Sequence, residues 1–367
     1  NISTTKKELQ RAFSKLIKTT QARSQNPLIN YTYISSGAHG VTLHSTDLEV
    51  GIKTTITASV NTDGEGLFPT TELNDIISVI DEGRVDIEIA GPHINIKSEK
   101  GTSFDIPTLP FQEYPKVPEN KHETIYNINT SELKKILDVI IYAINKDQLK
   151  PALSGALFSF SEEGLNFVST DGHRLVVVAK KNESNIIEDF IIPKKYLNML
   201  SSFIQGQKES SLIFSNNHIF INNDRDVLYS RLIDEKYPNY KAVIPQDNSY
   251  VLKLQKEDFL NSIKATFIAT NKNTNQISLN LALGEVFLKS VNQPESKTVY
   301  APLKTAEYDG EKISIGFNAT YLKEAITNYP SEEILFVFKD ELSATLLLPK
   351  TKNHKITILL MPVRINE

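Results

Sequence analysis

The sequence predicts an α+β fold of three similar domains, each with two helices packed on antiparallel sheets. Three observations carry this. A first amphipathic stretch recurs around Leu9, Leu133 and Phe259, at intervals of 124 and 126 residues. A second recurs around Leu73, Leu197 and Leu322, at 124 and 125. Glu113-Tyr114-Pro115 and Lys236-Tyr237-Pro238 repeat at 123. Solenoid units run to roughly 50 residues at most, so a period this long is the size of a whole domain. The expected domains are 1–120, 121–247 and 248–367.

The first helical stretch runs from Thr5 to Thr19 and returns as Thr130 to Asn145 and Lys256 to Thr270. At about 100° per residue, Leu9, Ala12, Phe13, Leu16 and Ile17 share one face, and Lys7, Arg11, Lys15 and Lys18 share the other. One apolar stripe is therefore buried and one basic stripe shown. On one helix alone a basic stripe reads more readily as a solvated surface. Basic residues at the equivalent helices, among them Lys134, Lys135, Lys256 and Lys264, favour a functional face, although those helices also carry acids. The second stretch opens at Phe68-Pro69-Thr70, Ile192-Pro193-Lys194 and Phe317-Asn318-Ala319.

Between the helices the period changes to two. Residues 85–89, 93–97, 211–214, 218–221 and 335–338 alternate as half-buried strands, with turns such as Gly91-Pro92. Polar, Pro- or Asn-bearing linkers are expected over Pro115–Glu123 and Pro245–Tyr250.

Composition narrows the function. The chain has 367 residues, 40% hydrophobic and 23% charged, ordinary for a globular protein and too long for a single core. No apolar run reaches the roughly 20 residues that span a bilayer, and no secretory leader is evident, so a cytoplasmic protein is expected. The absence of cysteine removes disulfides, thiolate metal sites and cysteine nucleophiles. The formal net charge is −4, but Lys6 to Arg23 holds six bases against Glu8 alone, while Asp81–Glu88 and Glu332-Glu333 are acidic. Such a split suits a molecule with one face toward phosphate and a repelling remainder. There is no phosphate loop, dinucleotide fingerprint, metalloprotease helix or nucleophile elbow. Neither catalytic residues, a metal nor a cofactor is expected, and the chain reads as no enzyme. Two other readings stay open: a hydrolase or nuclease built from dispersed carboxylates, and a peptide-binding scaffold that keeps the fold but never encircles DNA.

Two segments depart from the repetition. Thr170-Asp171-Gly172-His173-Arg174-Leu175 keeps register with Thr46-Asp47-Leu48-Glu49-Val50. A tight turn explains Asp-Gly but not an imidazole and a guanidinium beside it. At the other end, Ile356–Met361 reads as a strand, and Pro362 removes it from the ladder, leaving Met361, Val363 and Ile365 exposed beside Arg364. Methionine is an adaptable lining for varied partners.

With Thr46-Asp47-Leu48-Glu49, Thr108-Leu109-Pro110, Tyr237-Pro238-Asn239-Tyr240, Gly316-Phe317-Asn318 and the closing Met361-Pro362-Val363-Arg364, the chain resembles the bacterial β sliding clamps over its full length. These are the processivity subunits of replicative DNA polymerase III. The resemblance implies the DNA clamp fold, closed into a ring by a head-to-tail homodimer that encircles duplex DNA without reading sequence. It implies partners that include the polymerase alpha subunit, the clamp loader and other proteins with clamp-binding motifs, and no membrane.

Residue by residue, the resemblance implies a partner-peptide pocket of Leu153, Thr170, Gly172, His173, Arg174, Leu175, Pro238, Val243, Asn318, Tyr321, Met361, Pro362, Val363 and Arg364. Leu153, Leu175, Val243, Met361 and Val363 would make an apolar socket, with hydrogen bonds from His173, Arg174 and Asn318. It implies a subunit contact at Phe104, Ile106, Ile268 and Ala269. The DNA-facing choices are Lys7, Arg11, Lys15, Lys18, Arg23, Lys134, Lys150 and Lys194, a modest lining suited to sliding. Ala242 departs from a position that is often basic in this family, and Asn366-Glu367 extend past its usual ending.

Overall fold

A computed structural model describes residues 1–20, 26–37, 40–119, 123–147, 149–215, 217–271, 274–349 and 354–365. Six α-helices occupy the expected places among them: α1 Lys6–Leu16, α2 Thr70–Val79, α3 Thr130–Ile140, α4 Lys194–Phe203, α5 Lys256–Phe267 and α6 Ala319–Thr327. The first-stretch helices are shorter than their sequence patterns. After α1 and α3 the chain tightens into single 3₁₀ turns, Ile17–Thr19 and Ile141–Ala143, a common way to finish a helix. In α1 the buried residues include Leu9, Ala12, Phe13 and Leu16, the expected apolar stripe, and the Thr5 hydroxyl caps it by accepting from the Glu8 amide.

Two compact units result, Asn1–Thr130 with Asn198–Leu232, and Ser131–Leu197 with Ile233–Glu367. Each contains one eight-stranded antiparallel sheet and one smaller sheet. In the first unit the large sheet joins strands of repeat one to strands of repeat two: Asp226–Arg231 pairs with Val50–Ile56, Leu228 opposite Ile52. In the second unit the same joint recurs between repeats two and three, where Arg174–Lys180 pairs with Lys355–Leu360, Val176 opposite Ile358. The middle repeat is therefore divided between two sheets. Nothing in a 124-residue period could show this, because strand partners are chosen by shape across the repeats.

A small buried device recurs three times. The Ser45 hydroxyl donates to the Leu16 carbonyl at 3.1 Å, Ser169 to Ile140 at 2.6 Å, and Ser290 to Thr266 at 2.7 Å. Each serine is at most 2% exposed and satisfies a carbonyl in the last turns of the first helix of its repeat, where intrahelical donors run out. Lysines do similar work at the second helices. Lys6 donates to the Ile80 carbonyl at 2.8 Å and Lys256 to that of Tyr329 at 2.6 Å, so each cation sits at the negative end of α2 or α6.

Candidate functional site

The turn Thr170–Arg174 is built by its own side chains. The Thr170 hydroxyl accepts from the Gly172 amide at 3.1 Å and donates to the Arg174 carbonyl. Asp171 Oδ1 accepts from the His173 and Arg174 amides at 3.0 and 3.1 Å. Gly172 has φ +92°, a conformation glycine adopts at little cost. Repeat one builds the same turn: Thr46 and Asp47 make the equivalent bonds to Leu48, Glu49 and Val50, and Leu48 takes φ 77°. The turn is a scaffold common to both repeats. What differs is its cargo, His173-Arg174 in place of Glu49-Val50.

That arginine is buried at 4% exposure, and each of its three nitrogens is hydrogen-bonded. Its Nε donates to Asp171 Oδ2 at 3.0 Å, one terminal nitrogen donates to Glu324, and the other to the Tyr142 carbonyl at 2.7 Å. The guanidinium carbon stands 5.1 Å from the Tyr142 ring centre and 4.6 Å from that of Tyr321, within cation–π range. Sequence reasoning gave Arg174 a direct hydrogen bond to a ligand. Here three of its five N–H donors bind Asp171, Glu324 and the Tyr142 carbonyl, so it also positions the groups around it. His173 stays exposed and stacks on Tyr321, ring centres 5.8 Å apart at 23°.

The chain end completes this face. The Met361 amide donates to the His173 carbonyl at 2.9 Å, and the Val363 amide to that of Gly316 at 2.8 Å. A Cβ on Gly316 would meet the Val363 oxygen at 2.3 Å, so only glycine lets the tail lie there. Gln276 ties the Arg364 carbonyl at 3.0 Å. Met361 is 41% exposed and Val243 55%. Leu175, Leu157, Val177 and Leu359 belong to a buried apolar cluster against which Leu153, Tyr240 and Ile244 pack. Leu175 is thus floor and not accessible wall. Thr170, Pro362 and Val363 are half-buried, while Pro238 and Arg364 are exposed. Asn318 caps α6, its carbonyl oxygen accepting from the Thr320 and Tyr321 amides; that fixes its acceptor.

A polar cavity of about 320 Å³ adjoins the turn, lined among others by Lys146, Lys150, Asp171, His173, Tyr321 and Glu324. Lys194, assigned to DNA from sequence, donates to the Ile144 carbonyl at 2.9 Å. Burial, with Lys146 and Arg174 nearby, lowers its pKa. Sequence reasoning missed Glu324, Tyr142 and the pairing role of Asp171. Glu324 lies one helical turn beyond Tyr321, a spacing that could have suggested it.

The basic face of α1 is partly spent. Arg11 and Lys15 both pair with Asp226, Arg11 at 3.2 Å, and Arg11 also donates to the Thr55 carbonyl. Burial pushes the Asp226 carboxyl up, but bonds from Lys15 and Thr54 and the Arg11 charge outweigh it and hold the pKa below the usual range. Lys7, Lys18 and Lys150 are exposed and Lys134 half-buried; Arg23 lies outside the described residues, as do Asn366 and Glu367. Of the four subunit-contact candidates, Ile268 is 79% exposed and Phe104 half-buried, while Ile106 and Ala269 are buried within the chain. Those two offer almost no surface of their own.

Three family models match the chain in succession: DNA polymerase III beta subunit, N-terminal domain over residues 1–118, central domain over 127–239 and C-terminal domain over 241–364. Among curated proteins it is similar to the beta sliding clamps of Pseudomonas putida, 25% identical with 94% of each chain covered, and Bacillus subtilis, 23% identical with 95% covered. Among solved structures it superposes on the sliding clamp of Bartonella birtlesii bound to griselimycin with a TM-score of 0.92, 25% identity and 99% of each chain covered. On the DNA polymerase III subunit beta of Pseudomonas aeruginosa the values are 0.91, 23% and 99%.

Proposed function

The chain belongs to the DNA polymerase III beta subunit family, and from that premise we propose that it is a sliding clamp, a ring-shaped homodimer that encircles duplex DNA and holds the replicative polymerase to its template. The observation that carries this is the triplicated chain, matched by beta-subunit domain models along nearly its whole length. It is a non-catalytic subunit, and its work is topological. Phosphate contacts carry no base information, and weak screened ones leave a ring free to move. The three clamp domains are read as 1–120, 121–247 and 248–367.

Closure is read at two strand edges. Ser103–Pro107 ends the five-stranded sheet of one unit, and Lys297–Pro302 ends the four-stranded sheet of the other. Such edges carry unpaired backbone groups and invite pairing. Head-to-tail contact between one copy's first edge and another's second would close two chains into a ring, with Phe104 and Ile268 at the seam. Lys7, Lys18, Lys134 and Lys150 are read as the lining toward DNA. Arg11, Lys15 and Lys194 contribute charge behind it.

Partner proteins, among them the polymerase alpha subunit and the clamp loader, dock linear motifs on the face of His173, Tyr321, Pro238, Val243 and Met361. The apolar anchor of the motif sits over Leu153 and the cluster beneath. No helix among the described residues is long and apolar enough to cross a membrane, and the working place is read as the cytoplasm, at the nucleoid during replication. Loaded by its ATPase loader on closed circular DNA, the protein is expected to stay bound and to leave when the circle is cut. Equal loss from intact and cut circles would overturn the encircling reading.

A further inference from the structure

The first unit contains a cavity of about 440 Å³, lined by none of the residues assigned above to DNA, partner or subunit contact. Its floor is a cross-strand row in which Tyr33 pairs with His44 and His44 with Lys53. Its walls are aromatic. Tyr114 stacks on Tyr33 at 5.8 Å and 15° and meets His44 edge-on at 5.7 Å, and Phe111 lies 6.3 Å from Tyr33.

The walls are tied in place. The Tyr114 hydroxyl donates to the Tyr31 carbonyl at 2.8 Å, and His44 Nε2 is bonded to the Tyr229 hydroxyl at 2.7 Å. Burial, aided by Lys53, holds the His44 pKa near 4, so the ring is neutral at physiological pH. The charged groups on the lining are Lys53, Lys116 and Glu65, a net positive charge in a chain whose total is −4. Lys53 is half-buried, and among the described residues no carboxylate lies in ion-pair range of it. Glu65 sits beside the Tyr33 hydroxyl, whose pKa is raised by burial and by that carboxylate.

The repeat sharpens the contrast. One interval of 124 carries Tyr33, His44 and Lys53 onto Leu157, Val168 and Val177, members of the apolar cluster under the proposed partner pocket. Tyr114-Pro115 corresponds to Tyr237-Pro238. The same place in two repeats thus offers an apolar floor in one and an aromatic, cationic one in the other.

We infer that this cavity is a second docking site, for a short acidic peptide segment whose aromatic side chain packs on Tyr33 and Phe111, with Tyr114 behind them, while a carboxylate meets Lys53 and Lys116. Offset and edge-on aromatic pairs add to area burial. A lysine with no carboxylate in range leaves its ammonium free to make a charge-assisted hydrogen bond to the ligand. The comparison between repeats rests on the proposed role of the His173 face; the chemistry of this cavity does not.

The test titrates the blocked peptides Ac-Glu-Phe-Glu-NH2 and Ac-Gln-Phe-Gln-NH2 into the full chain by calorimetry, with Lys53→Gln, Lys116→Gln and His173→Ala variants alongside. The acidic peptide is expected to bind, with the glutamine peptide and Lys53→Gln each about tenfold weaker, the loss of one charged hydrogen bond. Lys116→Gln is expected to weaken binding about threefold, as an exposed partner does, and His173→Ala to leave it unchanged. Lys116 is exposed, so that variant keeps the test in hand should Lys53→Gln melt early. No binding, equal binding of the two peptides, or indifference to both lysines would overturn the inference. Loss only in His173→Ala would place the peptide on the other face and overturn it too, while leaving the partner-pocket reading intact.

Discussion

Arg174 shows what a single residue can hide. Its position in the Thr-Asp-Gly turn was legible, because Thr170 and Asp171 keep step with Thr46 and Asp47. Its burial was not, since Glu324 lies 150 residues further on and no local pattern announces a partner so distant. Arg11 and Lys15 teach the same lesson: the helical wheel found their face but not Asp226, more than 200 residues away. Replacing Arg174 with Met strands Asp171 and unsettles Tyr321. Breaking a buried pair on one side typically costs about 3 to 5 kcal/mol, so denaturant melts are expected to show a loss of that order, with weaker partner-peptide binding. A loss under about 0.5 kcal/mol, the scale of a surface change, would contradict a buried, paired guanidinium. His44 makes a pH prediction. Its folded pKa, about 4, lies below the unfolded 6.5, so the unfolded chain binds the extra proton and stability falls as pH drops from about 6.5 toward 4. The full difference is about 3 kcal/mol at 1.36 kcal/mol per unit. In a His44→Gln variant, melting temperatures recorded across that window should lose this slope; an unchanged slope would assign it elsewhere.

At the scale of elements, the helices and the alternating strands were legible, because burial of one face imposes a period on the sequence. Helix ends were read too long, since the 3₁₀ turns after α1 and α3 continue the apolar pattern with a different pitch. The chain end was read correctly as leaving the ladder at Pro362, but its second anchorage, Val363 on Gly316, depends on a missing side chain in another strand. Gly316→Ala is expected to lift the tail, leaving dimerisation intact while a labelled polymerase peptide binds about tenfold more weakly in fluorescence anisotropy, as loss of a positioned pocket wall does. Removing residues 361–367 should abolish that binding; unchanged affinity in either case would move the docking face elsewhere. Ser169→Ala removes a buried hydroxyl donor from the Ile140 carbonyl, and about 1 kcal/mol is expected in equilibrium unfolding. An effect near zero would mean that water fills the place.

For the molecule as a whole, the sequence told the number of copies and their length, and the resemblance supplied their purpose. It did not tell how the copies share strands. Light scattering is expected to give twice the chain mass of 41.2 kDa; a monomer or a trimer at micromolar concentration would contradict closure by two chains. Salt should loosen DNA contacts on linear duplex steeply, since each neutralised phosphate adds to the slope, yet leave retention on closed circles nearly unchanged. Parallel loss on both would mean adhesion and not enclosure.

Because Asp226–Arg231 completes one large sheet and Arg174–Lys180 the other, what the gene duplicates is not what the polypeptide can spare. A shortened protein stopping at residue 120 would present Val50–Ile56 as a bare ladder, and one starting at residue 248 would do the same with Lys355–Leu360. Both should clump where the intact chain stays dispersed. Dissecting this molecule therefore means cutting along its sheets and not along its internal echoes.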